Sequence, residues 1–122
     1  MNQIIAIVTD LFFQARINAA ARAAGRQVCF VSSVLESDDL PRCSLLLVDL
    51  DAATDVLAII HAFKVLPGCH IVAFGPHVDT GRRKAAKEAG ADRVLAKSKF
   101  AQELPNLLAD LSDADSVRLP TS

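Results

Sequence analysis

The chain has 122 residues, 52% of them hydrophobic and 22% charged, with a formal net charge of −1 at pH 7. That length suits one domain, which hides roughly two-thirds of its unfolded surface. The balance excludes a disordered chain and any general attraction to nucleic acid or an anionic membrane. With six Phe and no Trp or Tyr, the core is expected to be built from Ala, Val, Leu and Ile.

The chain opens on Met1-Asn2-Gln3 and passes directly into Ile4-Ile5-Ala6-Ile7-Val8, without a basic leader, so no signal peptide is expected. The first predicted strand, Ile4–Val8, is followed by a helix over about Leu11–Ala24 that stops at Gly25. Its alanines, Ala15, Ala19, Ala20, Ala23 and Ala24, are expected to let it pack closely on a sheet. A second strand, Val28–Val31, leads to a short helix around Val34–Leu40. Leu45–Val48 is the third strand, and the helix after it spans about Ala52–Leu66, ending before Pro67-Gly68. Ile71–Phe74 is the fourth strand, with a helix over about Thr80–Ala89 that stops at Gly90. The fifth strand, Val94–Ala96, precedes a helix over about Ala101–Leu111, in which Pro105 is tolerable only within the first turn. One domain is therefore expected over 1–111, with 112–122 as a polar, frayed C-terminal tail. No apolar run reaches the roughly 18 residues of a membrane helix.

The strand runs are continuously apolar, not alternating, as in a parallel sheet covered by helices on both faces. Five βα units in series imply a doubly wound α/β sheet, whose chemistry sits at the carboxyl ends of the strands. That rule selects Thr9-Asp10, Ser32-Ser33, Asp49–Asp51, Gly75–His77 and Lys97-Ser98. Among these, Asp10, Asp49 and Lys97 each follow an apolar strand. A lysine beside two carboxylates is what an aspartyl-phosphate site requires: one carboxylate as nucleophile, another for a divalent cation, and an ammonium for the phosphoryl oxygens. A plainer role for the two acids is to cap the helices that follow them.

Three segments carry a family resemblance. Leu45-Leu46-Leu47-Val48-Asp49-Leu50 looks like the third strand and phosphoacceptor of a response regulator receiver (CheY-like) domain. Ile4–Asp10 is similar to the first strand and its acidic pair, and Ala89-Gly90-Ala91-Asp92-Arg93-Val94-Leu95-Ala96-Lys97 to the segment ending in the receiver lysine. The resemblance covers about residues 3–111. It implies a flavodoxin-like, three-layer fold with a five-stranded parallel sheet in the order 2-1-3-4-5. It also implies Asp49 as phosphoacceptor, Lys97 as phosphoryl contact, and Mg²⁺ held weakly by Asp10, Asp49 and Asp51.

Five departures accompany it. Thr9 replaces the first of two adjacent acids, Gly75 replaces the strand-four hydroxyl, and Val94 replaces the aromatic switch residue. Ser98 replaces the proline after the lysine, and Ala53 the proline four residues after the phosphoacceptor. A lost carboxylate weakens cation binding, with Asp51 in a position to compensate. A lost hydroxyl and aromatic remove the parts that turn phosphorylation into a surface change.

The leading expectation is a stand-alone, atypical receiver-like signalling module of the cytoplasm. It acts by protein–protein interaction, with weak or absent phosphorylation of Asp49 and no enzyme activity of its own. Arg82, Arg83, Lys84 and Lys87 read as a solvated basic face or as a partner surface. The resemblance implies partners or a homodimer through the fourth predicted helix, fifth strand and fifth helix. The alternatives are a phosphorylatable single-domain response regulator using Mg²⁺, and a flavodoxin-like domain binding a small ligand. DNA binding through the basic cluster has a weak footprint. His61, His70 and His77 lack metal-ligand spacing, and Gly75–Gly81 lacks the spacing and the Lys-Ser/Thr of a phosphate loop. Cys29, Cys43 and Cys69, an odd number without a Cys-x-x-Cys pair, read as reduced thiols.

Overall fold

In the computed structural model, residues 4–31, 43–52, 55–66 and 68–121 are described, the last stretch as backbone alone from residue 110. The predicted helix around Val34–Leu40, the Ser32-Ser33 strand end and Ala53 lie outside the described residues. Five strands, β1 (Ile4–Ile7), β2 (Val28–Phe30), β3 (Leu45–Asp49), β4 (His70–Gly75) and β5 (Arg93–Ala96), form one sheet in the order β2-β1-β3-β4-β5. Every pairing is parallel, with Ile4 opposite both Val28 and Leu45, Leu45 opposite His70, and Val72 opposite Arg93. Each strand falls on the apolar run that predicted it, within a residue of its ends.

The described helices are α1 (Leu11–Ala23), α2 (Val56–Lys64), α3 (Thr80–Ala89) and α4 (Lys97–Thr121). Alternate strand residues face two core layers. Ile5, Ile7, Leu46, Val48, Ile71 and Ala73 meet Ile59, Ile60 and Phe63 of α2 and Ala86 of α3. Ile4, Ala6, Leu45, Leu47, Val72 and Phe74 meet Ile17 and Ala21 of α1 and Phe100, Leu104 and Leu108 of α4. Helices therefore cover both faces, which is why the strands carry no polar stripe. The doubly wound α/β sheet expected from the sequence is the one observed.

Local chemistry sets the helix ends. Gly25 adopts φ 72°, where a side chain is disfavoured, and the Arg26 N–H donates to Ala21 O at 2.8 Å, closing α1 as in a Schellman motif. α2 begins four residues later than expected, at Val56, with Asp55 as its cap, accepting from the Ala58 N–H at 3.3 Å. Within α1 the buried positions are Ile17 and Ala21, whereas Ala15, Ala19 and Ala23 are exposed. The alanine stripe expected against the sheet thus lies partly on the outer face.

The largest difference is in α4, which starts at Lys97 and stays helical to Thr121. Pro105 is consequently deep in the helix, not in its first turn. It sits on the exposed side, while Phe100, Leu104, Leu107 and Leu108 form a buried i, i+4, i+7, i+8 stripe. The burial of that stripe offsets the hydrogen bond that proline removes. The expected polar tail, 112–121, is helical in its backbone. Among the described residues, no helix is long and apolar enough to cross a membrane.

Candidate functional site

The strand order brings the carboxyl ends of β1, β3, β4 and β5 to one rim. Asp10 follows β1, Asp49 ends β3, Gly75 ends β4, and Lys97 follows β5. Asp49 is 1% exposed and accepts a 2.9 Å hydrogen bond from the Asp51 N–H. Burial pushes its carboxyl above the ordinary carboxylate range. The Asp51 N–H and the Lys97 charge pull it back, and the Asp51 and Asp10 charges add to the rise.

The ammonium of Lys97 does not simply face Asp49. Its Nζ lies 2.9 Å from Asp51 Oδ2 and 5.7 Å from the centre of the Phe13 ring. The other Asp51 oxygen, Oδ1, is 2.9 Å from Arg82 Nη1. Arg82 also donates to the Leu50 carbonyl and pairs with Asp79 Oδ2 at 3.2 Å. Asp51 is therefore clamped between two cations. The Lys97 hydrogen bond is the main reason that its carboxyl lies below the usual range, and that same bond holds the Lys97 ammonium above its own.

The structure brings Asp49, Asp51 and Lys97 to one rim and adds Arg82, which the sequence does not single out as a neighbour. Arg82 reads as part of a basic face, and in the structure its side chain, still 46% exposed, reaches across the rim to Asp51. A usable signal was present: Arg82 lies in the first turn of the helix after β4, next to the acid-rich end of β3. Of the other cationic positions, Arg83 donates to the His77 carbonyl at 2.9 Å and Lys87 to the Asp92 carbonyl at 2.8 Å, while Lys84 is exposed. His61 and His77 are exposed, and His70 Nδ1 is 3.7 Å from Asp92 Oδ2. Asp79, in the loop above β4, caps α3 by accepting from the Arg82 N–H.

Asp10 serves its plainer role, capping α1 by accepting from the Phe12 and Phe13 N–H groups at 2.8 and 3.4 Å. Asp49 caps no helix, since Asp55 performs that task for α2. These engagements bear on a divalent cation, which needs several oxygens free to converge. One Asp10 oxygen is held by α1, both Asp51 oxygens face cations, and one Asp49 oxygen is held by backbone. Among the described residues, no three acidic, His or Cys side chains are grouped to hold a metal ion. A cation held by Asp10, Asp49 and Asp51 therefore has to displace hydrogen bonds or ion pairs that these carboxylates already make.

Gly75, in the place of the strand-four hydroxyl, lies close against Leu50. A Cβ at this position would sit 3.1 Å from Leu50 Cδ1 and 3.3 Å from Leu50 Cβ, and Leu50 is itself buried. A side chain at this position therefore requires Leu50 to yield by a few tenths of an ångström. Val94, at the aromatic switch position, packs against the core layer of α2 and α3.

The shift of Asp49 makes a testable sign. An acid with a raised folded-state pKa binds its proton more tightly when folded, so stability falls as pH climbs from the ordinary Asp value through the raised one. Asp49→Asn keeps the acceptor for the Asp51 N–H and removes the buried charge. It is expected to raise stability at pH 7 by about 1 kcal/mol, with the gain fading on acidification to about pH 4. Asp51 runs oppositely: its depressed carboxyl stabilises above the ordinary value and is lost on acidification. Urea unfolding of both Asn variants at the two pH values checks the crossing.

No family model matches the sequence, and no curated protein matches it. Solved structures do. A response regulator receiver domain protein from Clostridium thermocellum is 18% identical, with 96% of this chain and 98% of that chain covered and a TM-score of 0.72. A putative pilus assembly protein from Burkholderia thailandensis is 21% identical over 93% of this chain and 99% of its own, with a TM-score of 0.68. A Burkholderia pseudomallei response regulator, solved with a phosphorylated aspartic acid, calcium ion and citrate, is 18% identical over 97% of this chain and 73% of its own, with a TM-score of 0.71. At such identities a likeness speaks for the backbone alone. With the 2-1-3-4-5 parallel sheet, it establishes that this chain has the fold of the response regulator receiver (CheY-like) domain.

Proposed function

We propose that the chain is a receiver-like signalling module whose acidic site is held by its own cations and which works by binding a protein partner, independently of Asp49 phosphorylation. The observation that carries this reading is the Lys97–Asp51–Arg82 clamp. It engages the lysine expected for the phosphoryl group and both oxygens of the acid best placed to help a cation. Leu50 beside Gly75 supports it, since no hydroxyl stands there to read a phosphorylated state. Mg²⁺ binding is weak in this reading, because a cation has to displace Arg82 or Lys97 from Asp51. The module has no catalytic turnover of its own and resides in the cytoplasm.

Contact with partners, or with a second copy, is assigned to α3, β5 and α4, where Arg83, Lys84 and Lys87 add positive charge. Leu11, Phe12 and Val78, at 77, 88 and 86% exposure, place large apolar side chains on the rim that carries the acids, in keeping with a protein-binding role. The alternative of a phosphorylatable, Mg²⁺-using response regulator is favoured by one observation, the retention of Asp49 at the end of β3.

Incubation with acetyl phosphate and Mg²⁺, followed by intact mass, separates the two readings. The expected result is less than about a tenth of the protein carrying a phosphoryl group. Stoichiometric labelling that disappears in Asp49→Asn establishes the ordinary phosphorylated module instead. Sedimentation at several concentrations then decides between monomer and homodimer.

A further inference from the structure

The amino-terminal edge of the sheet, opposite the acidic rim, carries two thiols side by side. Leu45 stands opposite His70, and the His70 N–H donates to the Ser44 carbonyl at 3.0 Å, so the pairing of β3 and β4 continues one residue below both strands. Cys43 and Cys69 flank that last link. Neighbouring strands lie ~4.8 Å apart and rise ~3.3 Å per residue. A pair offset by one residue therefore falls near 6 Å between Cα atoms, roughly the span of a disulfide. Both side chains pack on the same core layer, that of α2 and α3.

The two thiols share a hydrogen bond that treats them unequally. The Cys69 contact, aided by backbone N–H groups of Ile5 and Leu45, holds the Cys43 thiol below its ordinary pKa against the opposing effect of burial. Cys69 is pushed up by the same contact, by burial and by the Asp92 charge. One sulfur is thus disposed to be the thiolate and the other to keep its proton. Cys69 lies between exposed Gly68 and exposed His70, which gives solvent a route to the pair.

We propose that Cys43 and Cys69 form a redox-active dithiol that closes to an intramolecular disulfide when a peroxide accepts the two electrons. The Cys43 sulfur attacks one peroxide oxygen, the O–O bond breaks, and the departing hydroxide is protonated to water, leaving Cys43 as a sulfenic acid. The Cys69 sulfur then attacks Cys43, the S–S bond forms, the S–O bond breaks, and the Cys69 proton leaves with the hydroxide as a second water. Two thiols and one peroxide give one disulfide and two waters. A dithiol reductant reverses the change. The bridge ties the start of β3 to the start of β4 across α2, at the end of the sheet away from Asp49.

The test uses the full chain with Cys29→Ser, because Cys29 is exposed and would react on its own account. Hydrogen peroxide treatment, alkylation under unfolding conditions and peptide mapping are expected to give a linked Cys43–Cys69 peptide. Both thiols should resist alkylation until dithiothreitol is added, and the oxidised protein should melt about 5 °C or more higher. In the further variant Cys69→Ser, dimedone is expected to trap the sulfenic acid on Cys43. Recovery of both thiols in alkylatable form overturns the proposal, as does sulfinic acid on Cys43 without a linked peptide, or a bridge only between molecules.

Discussion

Phe100→Ala is expected to destabilise the protein by about 3–5 kcal/mol, the range for emptying a buried aromatic site. Phe100 is fully buried and stacks on Phe74 with ring centres 3.9 Å apart and planes 10° from parallel. Phe13 closes the cluster at 6.3 Å from Phe100 and 5.3 Å from Phe74. Each ring comes from a different element, α1, β4 and α4, so truncation leaves a space that no single side-chain rotation fills. Alanine is the better helix former by a few tenths of a kcal/mol, far too little to offset the loss. Urea unfolding measures the effect. A loss below about 2 kcal/mol would mean that α4 slides inward to fill the gap, and the Phe74–Phe100 stack would then not anchor the helix. Phe100→Leu, which keeps most of the apolar volume, is expected to recover more than half of the stability.

The second large effect is at Gly75. Gly75→Thr places a Cβ about 3.1 Å from Leu50 Cδ1 and adds two further heavy atoms in a buried position. Overpacking of this kind costs about 1–3 kcal/mol. Leu50 has little freedom to yield, because its own N–H is tied to the Phe74 carbonyl at 2.9 Å and its carbonyl accepts from Arg82. Leu50→Ala alone opens a cavity and is costly too. The two changes together are expected to cost less than their sum by about 1 kcal/mol or more, a coupling that a double-mutant cycle reads directly. Strict additivity would show that the two positions do not compete for space. Restoring a hydroxyl to the site thus needs a second substitution, and phosphotransfer assays on Gly75→Thr alone would report a strained protein.

The sheet was legible in the sequence for a simple reason. Strands covered on both faces need unbroken apolar runs, and Ile4–Val8, Leu45–Val48 and Ile71–Phe74 have no other plausible destination in a chain of this size. Gly25 and Gly90 marked two helix ends because both need positive φ. Less was visible where side chains compete. Whether the helix after β3 starts near Ala52 or at Val56 depends on which nearby Asp caps it, and Asp49, Asp51 and Asp55 are equal candidates by type. The start of α4 at Lys97 was hidden by Pro105, whose local rule is overridden by the burial of Phe100, Leu104 and Leu108. At the site, strand-end positions located Asp49, Asp51 and Lys97. The choice of Lys97 between two acids, and the arrival of Arg82, depend on side-chain reach across neighbouring strands, which no spacing along the chain encodes.

The grouping of Phe13, Phe74 and Phe100 also decides how this protein can be watched. Without Trp or Tyr, it has no conventional emission signal, and its near-ultraviolet optical activity comes from phenylalanine alone. Half of the six rings sit in one fixed, mutually tilted or stacked set. The fine structure of those weak bands is therefore a built-in gauge of whether the C-terminal helix is seated on the sheet. It should vanish on undocking even while the far-ultraviolet helical signal persists.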